Sequence, residues 1–153
     1  MKMHLSHEEG GVARLEALFR EKGLPLTVQR RLILKTLLDR RDHPTADEIY
    51  MDVKDRLPGV SRTTVYRVLE TIVRMGIANK VSHPGAAVRF DPITERHHHL
   101  VCRHCDKVVD LEGAPSAEVP LPETRRTGFQ ITDYSIYFRG VCSDCLKKKE
   151  GKR

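Results

Sequence analysis

The four cysteines of this 153-residue chain form two Cys-x-x-Cys pairs, Cys102 with Cys105 and Cys142 with Cys145. Four thiolates at tetrahedral distance select zinc and leave no coordination position open, so the pattern predicts a structural zinc site. A redox-active Cys-x-x-Cys is the alternative, but one redox pair does not require a second. Because residues 106–141 separate the pairs, the zinc would tie the first strand region of a C-terminal domain to the end of the chain.

Composition indicates a globular protein with a polyanionic partner. Hydrophobic residues make up 39% of the chain and charged residues 31%, with a net charge of +6. A basic balance favours nucleic acid, although part of the excess lies in the charged tail at residues 147–153. No apolar run approaches the roughly 18 residues that span a bilayer. The segment MKMHLSHEEGG lacks the apolar core of a secretory signal, so we expect a cytoplasmic location and no membrane partner.

Helical periodicity dominates residues 1–90. An apolar stripe predicts a first helix that stops at Gly23, and it consists of Val12, Leu15, Leu18 and Phe19. Thr27 can cap the next helix. Thr45 and Glu48 form a capping box, S/T-x-x-E, at the start of a third.

Ser61 precedes the segment RTTVYRVLETIVRMG, in which Gly76 occupies the position typical of a helix C-terminus. Two strands, at residues 77–81 and 87–90, are predicted around a turn at residues 83–85. With the first helix set aside, three helices followed by a hairpin is the order of a winged helix-turn-helix, which we predict for residues 1–90.

The helix after Ser61 is the candidate DNA-reading helix. Its N-terminal half offers side chains suited to phosphates, guanine edges and thymine methyl groups. The predicted DNA-binding residues are Arg62, Thr63, Thr64, Tyr66 and Arg67. The alternative is an ordinary amphipathic helix with a polar outer face.

Three adjacent histidines precede the first cysteine pair. In an extended segment alternate side chains share a face, so His97 and His99 point together and His98 points away. A hairpin over the Cys102–Cys105 turn would bring Asp110 beside them. Nitrogen and carboxylate donors suit Fe(II), Mn(II) or Zn(II), and they predict a second metal site distinct from the four cysteines. The alternative is that these histidines are packed or surface residues.

The blocks HPTADEIY, VSRTTVYRVLETIVRMGIANKV and HHHLVCRHCDKVVDL, together with the second cysteine pair, resemble the ferric uptake regulator family over nearly the whole chain. The resemblance implies a homodimeric, metal-dependent repressor that binds double-stranded operator DNA and is not an enzyme. It also implies an α+β fold. A hinge at residues 91–95 would join the winged-helix domain to a small α/β, zinc-stapled dimerisation domain at residues 96–153.

Within that family the chain looks most similar to the peroxide-responsive, Fe(II)- or Mn(II)-dependent branch. The resemblance implies a regulatory metal site of His43, Asp91, His97, His99 and Asp110. The iron-uptake branch usually carries Glu at the two carboxylate positions. A regulator that senses the level of iron, zinc, manganese or nickel is the alternative within the family.

Two departures from the family carry expectations of their own. Tyr134 and Ala117 stand where some members place ligands of an additional metal site, so we expect that site to be absent. Three prolines, Pro115, Pro120 and Pro122, interrupt a segment that is a fuller helix in relatives, so we expect a short helix there.

A mechanism follows from the placement of the ligands. His43 and Asp91 belong to the DNA-binding half or its hinge, and the other three ligands belong to the C-terminal half. A metal bound to all five would hold the halves in one orientation and set the spacing of two reading helices in a dimer. Two other classes stay open from the residues alone. One is a zinc hydrolase with Asp110 as base, and the other is a zinc-stapled RNA-binding or adaptor module.

Overall fold

A computed structural model describes residues 16–82, 86–111, 120, 122–124, 126–132, 134 and 136–150. These residues belong to two compact units that divide between Glu95 and Arg96. No helix in the described ranges is long and apolar enough to cross a membrane. Three of the sequence predictions fall on residues outside these ranges. They concern the turn at residues 83–85, the start of the first helix with Val12 and Leu15, and residues 112–119 of the proline-interrupted segment, which include Ala117.

The N-terminal unit is built from capped helices. Residues 16–21 are helical, and α1 (Val28–Leu38), α2 (Ala46–Val53) and α3 (Arg62–Arg74) follow. The hydroxyl of Thr27 accepts a hydrogen bond from the Arg30 N–H, and both bonds of the predicted capping box at α2 are present. Ser61 caps α3, and Gly76 follows its end at a φ of 71°. The local signals in the sequence therefore predicted where these three helices begin and where α3 ends.

One apolar core holds this unit together. Completely buried side chains from all three helices, from β2 and from the segment after α3 meet in it, and they are Ile33, Leu37, Ile49, Val53, Val65, Leu69, Ile72, Ile77 and Phe90. Burying each such side chain contributes about 1.5–3 kcal/mol relative to leaving it exposed. Because Val65, Leu69 and Ile72 fix the inner face of α3, its opposite face must point away from the core.

A short hairpin follows α3. Strands β1 (Asn79–Val81) and β2 (Arg89–Asp91) pair antiparallel, with Lys80 opposite Phe90. The predicted start at residue 77 is wrong because the Ile77 N–H bonds the Ile72 carbonyl, at 3.1 Å, and continues the helix cap. The second strand begins at Arg89 rather than at the predicted residue 87, and it ends one residue later than predicted, at Asp91.

The C-terminal unit is a three-stranded sheet followed by a helix. Strand β3 (His98–Cys102) lies between β4 (Val108–Leu111), which is antiparallel to it, and β5 (Tyr137–Gly140), which is parallel. The final helix is α4 (Ser143–Glu150). The hairpin β3–β4 and the α+β fold class are confirmed. Strand β5 and helix α4 were not predicted.

Candidate metal centres and the exposed face of α3

The four cysteines meet at one end of the C-terminal sheet. Cys102 ends β3, and the second pair comes from the residue before α4 and from α4 itself. One sulfur from each cysteine lies within 4.8 Å of the others, and none is in a disulfide. The Cys105 and Cys142 sulfurs are 3.7 Å apart, close to the roughly 3.8 Å edge of a tetrahedron with 2.3 Å zinc–sulfur bonds. The predicted four-cysteine cluster is therefore assembled with the spacing that zinc requires.

The peptide groups around the cluster already favour a thiolate at Cys102. Its sulfur accepts backbone N–H groups from Cys142 at 3.4 Å and from His104 at 3.5 Å. These bonds lower the pKa of the Cys102 thiol to about 6. Hydrogen bonding to the Cys142 sulfur raises the pKa of Cys145 to about 12. Because zinc binds the thiolate form of cysteine, binding of zinc to all four sulfurs must release protons.

Three of the predicted regulatory ligands lie together in the C-terminal unit. His99 faces Asp110 directly across the β3–β4 ladder. The Oδ1 atom of Asp110 is 3.0 Å from His97 Nε2 and 3.6 Å from His99 Nε2. Donor atoms that share one metal at about 2.1 Å stand about 3.0–3.4 Å apart, so the His97–Asp110 distance matches ligand spacing and the His99–Asp110 distance is slightly longer. Tyr137 on β5 stacks on the His99 ring, with centroids 5.6 Å apart, and no sequence signal marked it.

The other two predicted ligands lie in the N-terminal unit. His43 Nε2 is 3.8 Å from Asp91 Oδ2, and both side chains are almost fully buried, at 2% and 1% exposure. Asp91 ends β2, and its Oδ1 also accepts the Ile93 N–H at 2.8 Å. His43 precedes α2 with a φ of 52°, in the left-handed region. Buried His and Asp side chains in contact are an unusual use of core volume and fit a ligand pair.

The predicted DNA-binding residues lie on the first turns of α3. Tyr66 is 45% exposed although it is a large aromatic residue, and Arg62, Thr63 and Arg67 are exposed as well. Thr64 is half-buried beside the Ser61 cap. The Arg62 guanidinium bonds Asp47 on α2 at 2.7 Å. This half of α3 therefore presents two arginines and a tyrosine to the outside of the unit.

The described structure thus combines capped helices, a short hairpin and a cysteine-rich sheet, with His and Asp side chains grouped in each unit. These are the features of a metal-dependent transcriptional regulator. The sequence profile of the ferric uptake regulator family matches residues 21–139. The chain is 36% identical over 130 residues to the peroxide operon regulator of Bacillus subtilis, covering 85% of this chain and 90% of that one. It is 33% identical over 145 residues to the peroxide-responsive repressor PerR of Staphylococcus aureus, covering 94% and 95%.

The fold comparison agrees with the sequence comparison. The structure of the Helicobacter pylori ferric uptake regulator Fur matches with a TM-score of 0.72, covering 94% of this chain and 97% of that one. At 20% identity this match concerns the fold alone. The chain belongs to the ferric uptake regulator family. It is accordingly a transcriptional regulator rather than an enzyme, and the zinc hydrolase alternative is excluded.

Proposed function

We propose that this protein is a peroxide-responsive repressor that binds operator DNA as a homodimer. In this proposal each chain carries one structural Zn²⁺ on its four cysteines. One Fe²⁺ or Mn²⁺ binds the regulatory set of His43, Asp91, His97, His99 and Asp110. The observation that carries the proposal is the pairing, in each unit, of a histidine nitrogen with an aspartate oxygen at 3.0–3.8 Å. The similarity to two peroxide regulators of bacteria supports the same function.

The donor set suits the metals that the proposal names. Imidazole nitrogen and carboxylate oxygen are intermediate to hard donors, which fit Fe(II) and Mn(II), whereas thiolates fit zinc. The carboxylates at positions 91 and 110 are aspartates, the residue type that the resemblance associates with peroxide sensing. These five residues would hold the ion and could leave room on it for a small oxidant.

Regulation follows from which unit supplies each ligand. His43 and Asp91 are part of the helical unit, and His97, His99 and Asp110 are part of the sheet unit. A cation bound by both groups would restrict the orientation of the units and favour the one that fits DNA. Such linkage typically supplies a coupling free energy of about 1–3 kcal/mol.

Dimerisation is proposed to use the outer face of the C-terminal sheet. Leu100 faces Val109 on one neighbouring strand and Phe138 on the other. The three side chains are 36–41% exposed, which leaves an apolar row across all three strands. An apolar row of this kind on a sheet is typical of a protein interface, and a second copy would cover it.

Peroxide would act by changing a ligand. When Fe(II) is bound, it supplies the electron transfer that cleaves the O–O bond of hydrogen peroxide. One oxygen atom of the peroxide would replace the hydrogen on an imidazole carbon of His43 or His97, which loses two electrons, and the other oxygen would leave as water with that hydrogen. The oxidised ring would bind the metal more weakly, the two units would no longer be held in one orientation, and the DNA would be released.

The proposal is tested by anaerobic fluorescence anisotropy on labelled operator DNA with Fe(II), Mn(II) or Zn(II), before and after peroxide. We expect Fe(II) and Mn(II) to support binding and peroxide to abolish it with Fe(II) alone. His97→Ala should remove metal-dependent binding. His104→Ala is the matched control, because the His104 side chain is exposed and its bond to the Cys102 sulfur is made by the backbone N–H. Peroxide-insensitive binding by the Fe(II) protein would instead identify a metal-level sensor.

A further inference from the structure

The backbone conformation of His43 needs a specific support. A histidine with a φ of 52° is in a region that non-glycine residues seldom occupy, and it persists only where neighbouring groups hold it. The carbonyl of His43 accepts a hydrogen bond from Arg89 Nη1 at 2.9 Å. The next carbonyl, of Pro44, accepts the Phe90 N–H at 2.9 Å. The turn that presents His43 is thus bonded to the strand that ends at Asp91.

Glu48 completes this support from the first turn of α2. Its Oε2 atom accepts the Thr45 N–H at 2.6 Å and lies 3.4 Å from Arg89 Nη1. The Arg89 side chain is 15% exposed and the Glu48 side chain is 45% exposed, so water screens this pair less than it screens a pair in which both side chains are exposed. Arg89 therefore joins three features: the His43 carbonyl, the N-terminal cap of α2, and strand β2.

We propose that Arg89, held by Glu48, is a positioning residue that sets the geometry of the His43–Asp91 ligand pair. This inference rests on the proposed function, because it takes those two residues as ligands of the regulatory metal. Arg89 is not itself a ligand. It acts through the backbone of His43 and through strand β2, which carries both Arg89 and Asp91.

The consequence is a defined loss of metal affinity. Without the guanidinium the His43 backbone can relax to an ordinary φ, which moves the imidazole relative to Asp91. Loss of an outer partner of a metal ligand typically weakens binding about 10–100-fold. Arg89→Ala should fall in this range. Arg89→Lys, which keeps the charge but not the planar fork, should lose less.

The test uses Mn(II) as the probe, with its affinity measured by electron paramagnetic resonance on zinc-loaded protein. Co(II) absorption in the visible range reports the coordination geometry of the same site. Circular dichroism and zinc content check that each variant is folded. The variants are Arg89→Ala, Arg89→Lys and Glu48→Gln, and Arg31→Ala is the control because it removes an exposed arginine that is paired with Glu16 in the same unit.

We expect the Arg89→Ala and Glu48→Gln losses to be non-additive in the double variant and the Co(II) spectrum to change. Arg31→Ala should match the unsubstituted chain. Unchanged Mn(II) affinity and an unchanged Co(II) spectrum in Arg89→Ala would overturn the inference. If Arg89→Ala does not fold, the same two measurements on Arg89→Lys provide the test. His43→Ala separates the two proposals, because if it leaves Mn(II) binding intact, the ligand assignment itself fails.

Discussion

Replacement of Cys145 by serine should unfold the C-terminal unit while the N-terminal unit stays folded. Among the described residues of the C-terminal unit, the buried apolar side chains are Val101 and Val108, with Cys102 beside them. Two such side chains contribute about 3–6 kcal/mol. A structural zinc site contributes an apparent free energy of about 10–16 kcal/mol at pH 7, so zinc bound to the four cysteines would stabilise this unit more than these two buried side chains do. The N-terminal unit has its own core and does not depend on that zinc.

The assay is hydrogen exchange followed by mass spectrometry, with sedimentation to report the oligomeric state and metal analysis to report zinc. Peptides from β3, β4 and β5 should lose protection in Cys145→Ser, and peptides from α1 and α3 should keep it. Ser143→Ala is the matched control, since Ser143 lies between Cys142 and Cys145 and is exposed. A Cys145→Ser protein that keeps one zinc per chain, a protected sheet and a dimer would refute the reasoning.

Three further sets of substitutions test the reading helix, the dimer interface and a surface ion pair. Arg67→Ala or Tyr66→Ala should weaken operator binding by about 1–3 kcal/mol per half-site in anisotropy titrations without changing metal content. Unchanged affinity in both would mean that α3 is not the reading helix. Phe138→Glu should give monomers in sedimentation, and a stable dimer would place the interface elsewhere. Glu70→Gln should lower the melting temperature at neutral pH, because the Lys80 ammonium lowers the pKa of the Glu70 carboxyl. Such stabilisation is present above the unfolded pKa, so the difference should shrink as pH falls below 4.5, and a constant difference would contradict it.

The features that the sequence predicted are those with local causes. A cap at Ser61 and a left-handed residue at Gly76 depend on their immediate neighbours, and the structure has both. The alternation along β3 likewise determines that His99 faces Asp110 once the hairpin closes. The four-cysteine cluster was predictable because its spacing has few other chemical explanations.

Features that depend on distant parts of the chain were not predictable in this way. Strand β5 has four residues and pairs parallel with β3, and no hydrophobic pattern of that length specifies a partner. Arg89 reads in the sequence as one basic residue of a strand. Its role as a bridge from Glu48 to the His43 carbonyl requires contacts across 41 and 46 residues. No local sequence pattern predicts the left-handed φ of His43, which directly precedes Pro44.

The central claim is that one ion, held by ligands from both units, reports peroxide by losing a histidine. The most direct measurement is peptide mass spectrometry of the Fe(II)-loaded and Mn(II)-loaded proteins after brief exposure to hydrogen peroxide, with operator binding measured on the same samples. We expect a gain of one oxygen atom on peptides that contain His43 or His97 in the Fe(II) protein, together with loss of DNA binding, and no change in the Mn(II) protein. If the Fe(II) protein shows no gain in mass after peroxide and still binds operator DNA, the claim is contradicted.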